Sequence, residues 1–157
     1  MGTRSLTHIM SEEGKMLSTL YAQWDGYPSG MGAILGRLCT RLCLCNGIVP
    51  QDRKGHSNGM ENLVPLLYHG LVEHHRRESE RMAKRLSDPT YRSKVGSYYA
   101  QVPGTRDVGE EYVYRISGRV GELPKLECRD SSGNVVIPYQ HADTFLKACK
   151  AWKFPQE

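Results

Sequence analysis

β-Branched and apolar residues fill residues 3–10 and again 15–24, with Ser11-Glu12-Glu13-Gly14 between them. That arrangement predicts an antiparallel hairpin turning at residues 11–14. After Pro28-Ser29-Gly30, the apolar positions Met31, Ile34, Leu35, Leu38, Cys39, Leu42 and Cys43 recur at helical spacing, with Ser29 as the expected N-cap. Residues 46–59 are rich in Gly, Asn, Asp and Pro and read as a loop; Asn58-Gly59 leads into a second helix. Met60, Leu63, Val64, Leu67, Leu71 and Val72 form its apolar face, and Pro65 is tolerated near its first turns. From Glu73 to Arg85 the pattern becomes polar almost all round, as in a helix that protrudes from the body or docks a partner. Ser87-Asp88-Pro89 then ends it. Short strands are predicted near residues 95–102, 110–118, 123–129 and 134–138, and a helix from about Tyr139 to Trp152. This order predicts one α+β domain over 1–157: an N-terminal β-hairpin, two helices, a mainly antiparallel sheet, a C-terminal helix and a protruding basic segment at 73–88.

Composition narrows the class more than the chemistry. A chain of 157 residues is long enough to bury about two-thirds of its unfolded surface around one core. No apolar run reaches the roughly 18–20 residues needed to span a bilayer, and the opening residues lack the apolar segment of a secretory signal. A soluble intracellular protein without a membrane partner is the expectation. Five cysteines, three of them crowded at Cys39, Cys43 and Cys45, do not suggest a disulfide framework or a paired zinc ribbon. They are expected as buried apolar side chains.

Charge adds one feature. Between His74 and Lys94 stand seven basic and three acidic residues, so the net charge of +4 resides in that segment. Arg76, Arg77, Arg81, Lys84 and Arg85 are candidates to meet an acidic protein surface or nucleic-acid phosphates. The same residues alternate with Glu78 and Glu80 at spacings that stabilise a solvated helix face. Both readings stand at this point.

The second candidate is the segment Tyr21-Ala22-Gln23-Trp24-Asp25-Gly26-Tyr27-Pro28-Ser29-Gly30. A hairpin turning at 11–14 sets Arg4 opposite residues near 21–24. Arg4 can then pair with Asp25 or grip a phosphate, while Trp24 or Tyr27 offers a stacking face for a base. The alternative is structural: Asp25 caps its turn, Trp24 and Tyr27 seal the core, and Arg4 braces the interior. Arg106 and Glu111, in the loop before the Tyr112-Val113-Tyr114 strand, are the further candidates to close a polar ligand pocket with Arg4, Gln23, Trp24, Asp25 and Tyr27.

Several chemistries find no support in the pattern. No GxGxxG or GxxxxGK[ST] follows a strand, so the backbone cradle of a diphosphate fold is missing. His69 and His74 are five apart, which turns them about 140° from one another and breaks the HExxH geometry. No GxSxG elbow or Cys/His pair is legible. Neither a cofactor nor a metal is expected.

Gly2-Thr3-Arg4-Ser5-Leu6-Thr7, Tyr21-x-Gln23-Trp24-Asp25-Gly26-Tyr27-Pro28-x-Gly30-x-Gly32, Asn58-Gly59-Met60 and Pro103-Gly104-Thr105-Arg106-Asp107-x-x-x-Glu111-Tyr112-x-Tyr114 together resemble an uncharacterised family of small phage and prophage proteins. The resemblance runs in order through most of the chain. It implies a viral or mobile-element origin and a place of action in the cytoplasm of a bacterial host. The expectation is a non-enzymatic binder that blocks a bacterial immune protein or sequesters its nucleotide signal. Its partner is then a host protein or a nucleotide, with nucleic acid a further option through the basic helix. The alternative is an enzyme acting on a nucleotide or nucleic acid through Arg4, Asp25, Arg106 and Glu111. Glu73 to Arg85 looks like an extension to the family pattern.

Overall fold

A computed structural model of the protein describes residues 2–47, 55–91 and 98–156. Strands β1 (Ser5–Met10) and β2 (Met16–Ala22) form the predicted hairpin, with Ser5 opposite Ala22 and Thr7 opposite Leu20. Its turn is closed by Gly14 N–H donating to Ser11 O, and Gly14 sits at φ +86°, a conformation glycine adopts without a Cβ penalty. Next come a π turn (Pro28–Gly32) and helix α1 (Ala33–Cys39). Short strands β3 (Cys43–Cys45) and β4 (His56–Asn58) precede the long helix α2 (Gly59–Arg85). Strands β5 (Tyr98–Gln101), β6 (Tyr112–Ser117), β7 (Lys125–Asp130) and β8 (Val135–His141) follow, and helix α3 (Ala142–Ala151) closes the order.

The fold is α+β. Six strands form one sheet in the order β5-β2-β1-β6-β7-β8, antiparallel throughout except where β1 meets β6. Because side chains alternate along a strand, the register fixes two faces. Thr7 and Ile9 lie beside Tyr114 and Ile116, which in turn lie beside Cys128 and Leu126. These residues form the inner face, buried against Leu35 and Cys39 of α1, Leu63, Leu67 and Leu71 of α2, and Phe145 and Cys149 of α3 in one hydrophobic cluster. Each fully buried side chain of this size contributes about 1.5–3 kcal/mol relative to exposure.

The outer face is covered only in part. Leu6 and His8 point outward, yet Leu6 is fully buried and His8 nearly so. Strand β5 lies at one edge and β6 beyond β1, so residues 102–111 must cross β2 and β1. They cross on the outer face: Gly104 N–H donates to Thr19 Oγ1 at 3.0 Å, and the same hydroxyl shares a 2.8 Å hydrogen bond with His8 Nδ1. This strap explains why β1 is buried on both sides.

Several local expectations need correction. Ser29 is not an N-cap; it lies inside the π turn, where Tyr27 precedes the first turn without a side-chain cap. The first helix stops at Cys39 rather than Cys43. Cys43–Cys45 instead pair in parallel with His56–Asn58, so a part of the expected 46–59 loop is strand. Leu44 anchors this small sheet on the 118–122 turn by exchanging hydrogen bonds with Glu122 O and Gly121 N–H. Val72, expected on the core face of α2, is exposed. Residues 48–54 of the expected loop, residues 95–97 of the expected strand, and Arg92 and Lys94 lie outside the described residues.

All five cysteines are free thiols, and burial pushes the thiols of Cys39, Cys128 and Cys149 up to about 12. Cys39, Cys128 and Cys149 are packing groups held in the protonated form. A thiol must ionise to act as a nucleophile.

Candidate functional site

Backbone hydrogen bonds gather the motif residues at one end of the sheet. Gly26 N–H donates to Thr3 O, and Glu111 N–H and Tyr112 N–H both donate to Arg4 O. The start of β1, the end of β2 and the start of β6 therefore meet there. Tyr114 reaches up from the core and donates its hydroxyl to Gly26 O at 2.7 Å. A Cβ on Gly26 would stand 2.7 Å from the Arg4 carbonyl carbon, closer than packed carbon atoms can approach, so only glycine lets the two segments pass.

The side chains at this end do not form the expected pairs. Among the described residues no ion pair joins Arg4 to Asp25 or Glu111. Arg4 is exposed, and its Nη1 atom lies against Gly109 of the strap. Trp24 is 45% exposed and packs over Gly2 rather than sealing the core. Tyr27 stacks on Trp152 at 6.2 Å and meets Phe154 edge-on at 5.0 Å. Asp25 adopts φ +53°, which aspartate tolerates better than most residues. Burial first, and then the charge and hydrogen bond of Asp25, hold the Tyr27 phenol above its ordinary range. Gln23 is half-buried and Arg106 exposed. The strap loop is ordered instead by Glu110, whose carboxylate accepts from Asp107 N–H at 2.9 Å and Val108 N–H at 2.8 Å.

The basic helix spends most of its charge on itself. Arg76 pairs with Glu73 at 2.6 Å and also with Glu80; Arg77 pairs with Glu73 at 3.3 Å and Arg81 with Glu78 at 2.7 Å. Hydrogen bonds from Arg76 hold the Glu73 carboxyl down to about 2. Exposed pairs at this spacing add little to stability, because water and salt screen them. They nevertheless leave Lys84 and Arg85 as the cations of 73–85 without an ion pair among the described residues. The segment continues α2 without a break, and Ser79 within it is buried.

A third site is absent from the sequence reading. At the opposite end of the sheet, the outer faces of β6, β7 and β8 form an open concavity of about 660 Å³ with the β1–β2 turn on its rim. Arg115, Arg119, Lys125 and Arg129 line it, together with the carboxylates Glu12, Glu122 and Glu127 and with Tyr139. Register places them: Arg115 on β6 stands beside Glu127 on β7, and alternation turns both outward. Glu127 is nearly buried and engages Arg129 at 3.2 Å, while Arg129 also donates to Gly133 O. Glu122 meets His141 at 3.4 Å, and Lys125 lies 6.0 Å from the centre of the Tyr139 ring. Arg115, Arg119 and Lys125 have no ion-pair partner within 4.0 Å among the described residues. Burial raises the Tyr139 phenol above its ordinary range, with Glu127 and Glu122 adding to the shift and Arg115 and Arg119 opposing it.

The concavity can hold an anion and accept hydrogen bonds from a donor beside it. Among the described residues no group of three or more His, Cys, Asp or Glu is placed to bind a metal ion, and no helix is long and apolar enough to cross a membrane. One sequence signal pointed this way: Arg115 of β6 and Lys125, Glu127 and Arg129 of β7 are charged and alternate with Tyr114, Ile116, Leu126 and Cys128. Only the strand order brings them together. Comparison with protein-family models, with curated proteins and with solved structures finds no match for this chain.

Proposed function

We propose that this chain is a phage or mobile-element accessory protein that works by binding without catalysis, either blocking a bacterial defence protein or sequestering its nucleotide signal. The observation that carries the reading is the outer-face concavity, where Arg115, Arg119 and Lys125 stand without ion-pair partners among the described residues. Unneutralised cations in a concave site raise the local concentration of an anionic ligand. In this reading the motif residues at the far end of the sheet maintain the scaffold. Lys84 and Arg85 at the end of α2 are a secondary contact for a macromolecular partner.

The competing reading is an enzyme acting on a nucleotide or nucleic acid through Arg4, Asp25, Arg106 and Glu111. Its specific support is the left-handed backbone of Asp25 beside the Tyr27 hydroxyl, because strained backbone gathers at functional sites. Incubating the purified protein with host-extract nucleotides separates the two. Binding predicts stoichiometric retention, with the ligand recovered unchanged after denaturation. Turnover to a product that Asp25→Asn abolishes in a folded protein would sink the binding reading.

A further inference from the structure

We propose that the outer-face concavity of β6–β8 is a site for a phosphorylated nucleoside or sugar, with the phosphate held by Arg115 and Arg119 and the hydroxyl or amino groups of the ligand donating to Glu127. The inference rests on the binder reading in one respect, that the ligand leaves unchanged.

Guanidinium groups present planar donors that match phosphate oxygens bidentately, and two of them can meet the two charges of a phosphomonoester. Arg115 and Arg119 line the same concavity as Tyr139, without ion-pair partners among the described residues. Lys125 adds a third cation on the same wall. A simple inorganic anion is a poor match, because Glu127 sits within the same lining and cross-strand from Arg115. That carboxylate is nearly buried and oriented by Arg129 at 3.2 Å. Ionised, it accepts hydrogen bonds only. A ligand that satisfies both walls needs an anionic end and a donor end on one small frame.

Size and charge distribution favour a small molecule over a nucleic-acid strand. A volume of about 660 Å³ lies within the roughly 300–1,000 Å³ typical of small-ligand sites. A strand would need a track of cations along its backbone. The basic helix offers no such track: its arginines at 76, 77 and 81 are paired with glutamates, and α2 packs on the inner face of the sheet and contributes no residue to the concavity.

Titration calorimetry on the full chain tests the site with four ribonucleoside monophosphates, ribose 5-phosphate and unphosphorylated adenosine. The expected result is one-site saturation by a phosphorylated ligand and none by adenosine. Arg115→Gln and Arg119→Gln should each weaken binding by at least about tenfold, the size of one lost charge-assisted hydrogen bond. Lys147→Gln, on exposed α3 surface, should bind as the parent does. A monophosphate at least about tenfold tighter than ribose 5-phosphate assigns the nucleoside class, and equal affinity assigns the sugar phosphate. If a variant does not fold by circular dichroism, amide shift perturbations in the parent protein must centre on residues 115–119, 127 and 139. Saturation by adenosine as tight as by its monophosphate, unchanged binding in the arginine variants, or no binding of any phosphorylated probe would overturn the site. Retention of a host protein in that last case would leave the binder reading standing. Conversion of a bound monophosphate to product would overturn the binder reading and leave the site.

Discussion

Two hydroxyls on the inner face of the sheet show how much a single polar atom depends on its surroundings. Tyr114 is fully buried and donates to Gly26 O at 2.7 Å, which ties the core to the turn that carries the motif glycines. Thr7, its neighbour across the β1–β6 register, is equally buried, and its Oγ1 has no hydrogen-bond partner. Removing the first hydroxyl leaves a buried carbonyl unpaired, whereas removing the second relieves a desolvated group. Tyr114→Phe should therefore destabilise the protein by about 1–3 kcal/mol. Thr7→Val, which keeps the shape, should stabilise it by about 1 kcal/mol. Urea denaturation of both variants checks the pair, and destabilisation by Thr7→Val would show that its hydroxyl has found a partner. The tyrosines of the motif were readable as important. Their role was not, because the acceptor of the Tyr114 bond lies 88 residues away.

Among the elements, α2 shows two regimes along one axis. Its 27 residues extend about 40 Å. The first half buries Met60, Leu63, Leu67 and Leu71, while beyond Val72 only Ser79 is buried and the turns are held by glutamate–arginine pairs. Helices draw most of their stability from an apolar face in contact. Amides over residues 63–71 should thus exchange only with global unfolding. Those over 77–85 should exchange at least about tenfold faster through local opening. Uniform protection along the helix in a native-state exchange experiment would mean that its far half is packed as firmly as its near half.

Elements with a strong local period are legible in the sequence: the hairpin, α2, β6, β7 and α3 all stand near their expected places. What escaped had no local signature. Cys43–Cys45 continue a helical apolar pattern, yet they leave the helix to pair with three residues that read as loop. The concavity escaped for a related reason, since Arg115, Glu127 and Tyr139 meet only through strand order. The motif end was partly legible. Proximity of Arg4 to the residues after β2 followed from the hairpin, but backbone atoms make the contacts that were expected of charged side chains.

At the scale of the whole molecule, two histidines set the response to mild acid. Burial, and then Arg115, lower His8 below its ordinary value of 6.5, with Glu110 opposing. Burial, together with Arg37, His75 and Arg81, lowers His74 against the opposing charge of Glu78. Below 6.5 the unfolded chain therefore takes up more protons than the native one, so stability present at neutral pH is lost as pH falls toward the depressed native values. The carboxylates Glu73 and Asp130 act in the same direction only below their ordinary 4.5 and 3.8. Urea midpoints should consequently fall between about pH 7.5 and about pH 5.5, and His8→Gln should shrink that fall without abolishing it. A parent midpoint that stays level or rises over this interval would remove the histidines from the account.

The order of the sheet has a consequence for how the protein is made. The β1–β2 hairpin occupies the middle, yet its two neighbours, β5 and β6, begin only at Tyr98 and Tyr112. During synthesis both hairpin edges and the outward Leu6 stay uncovered until the strap has been translated, an interval on the order of ten seconds at ribosomal speed. The nascent chain is then a substrate for chaperones and a template for strand addition by another copy. Its yield in a crowded cell will depend on that interval as much as on the stability of the finished fold.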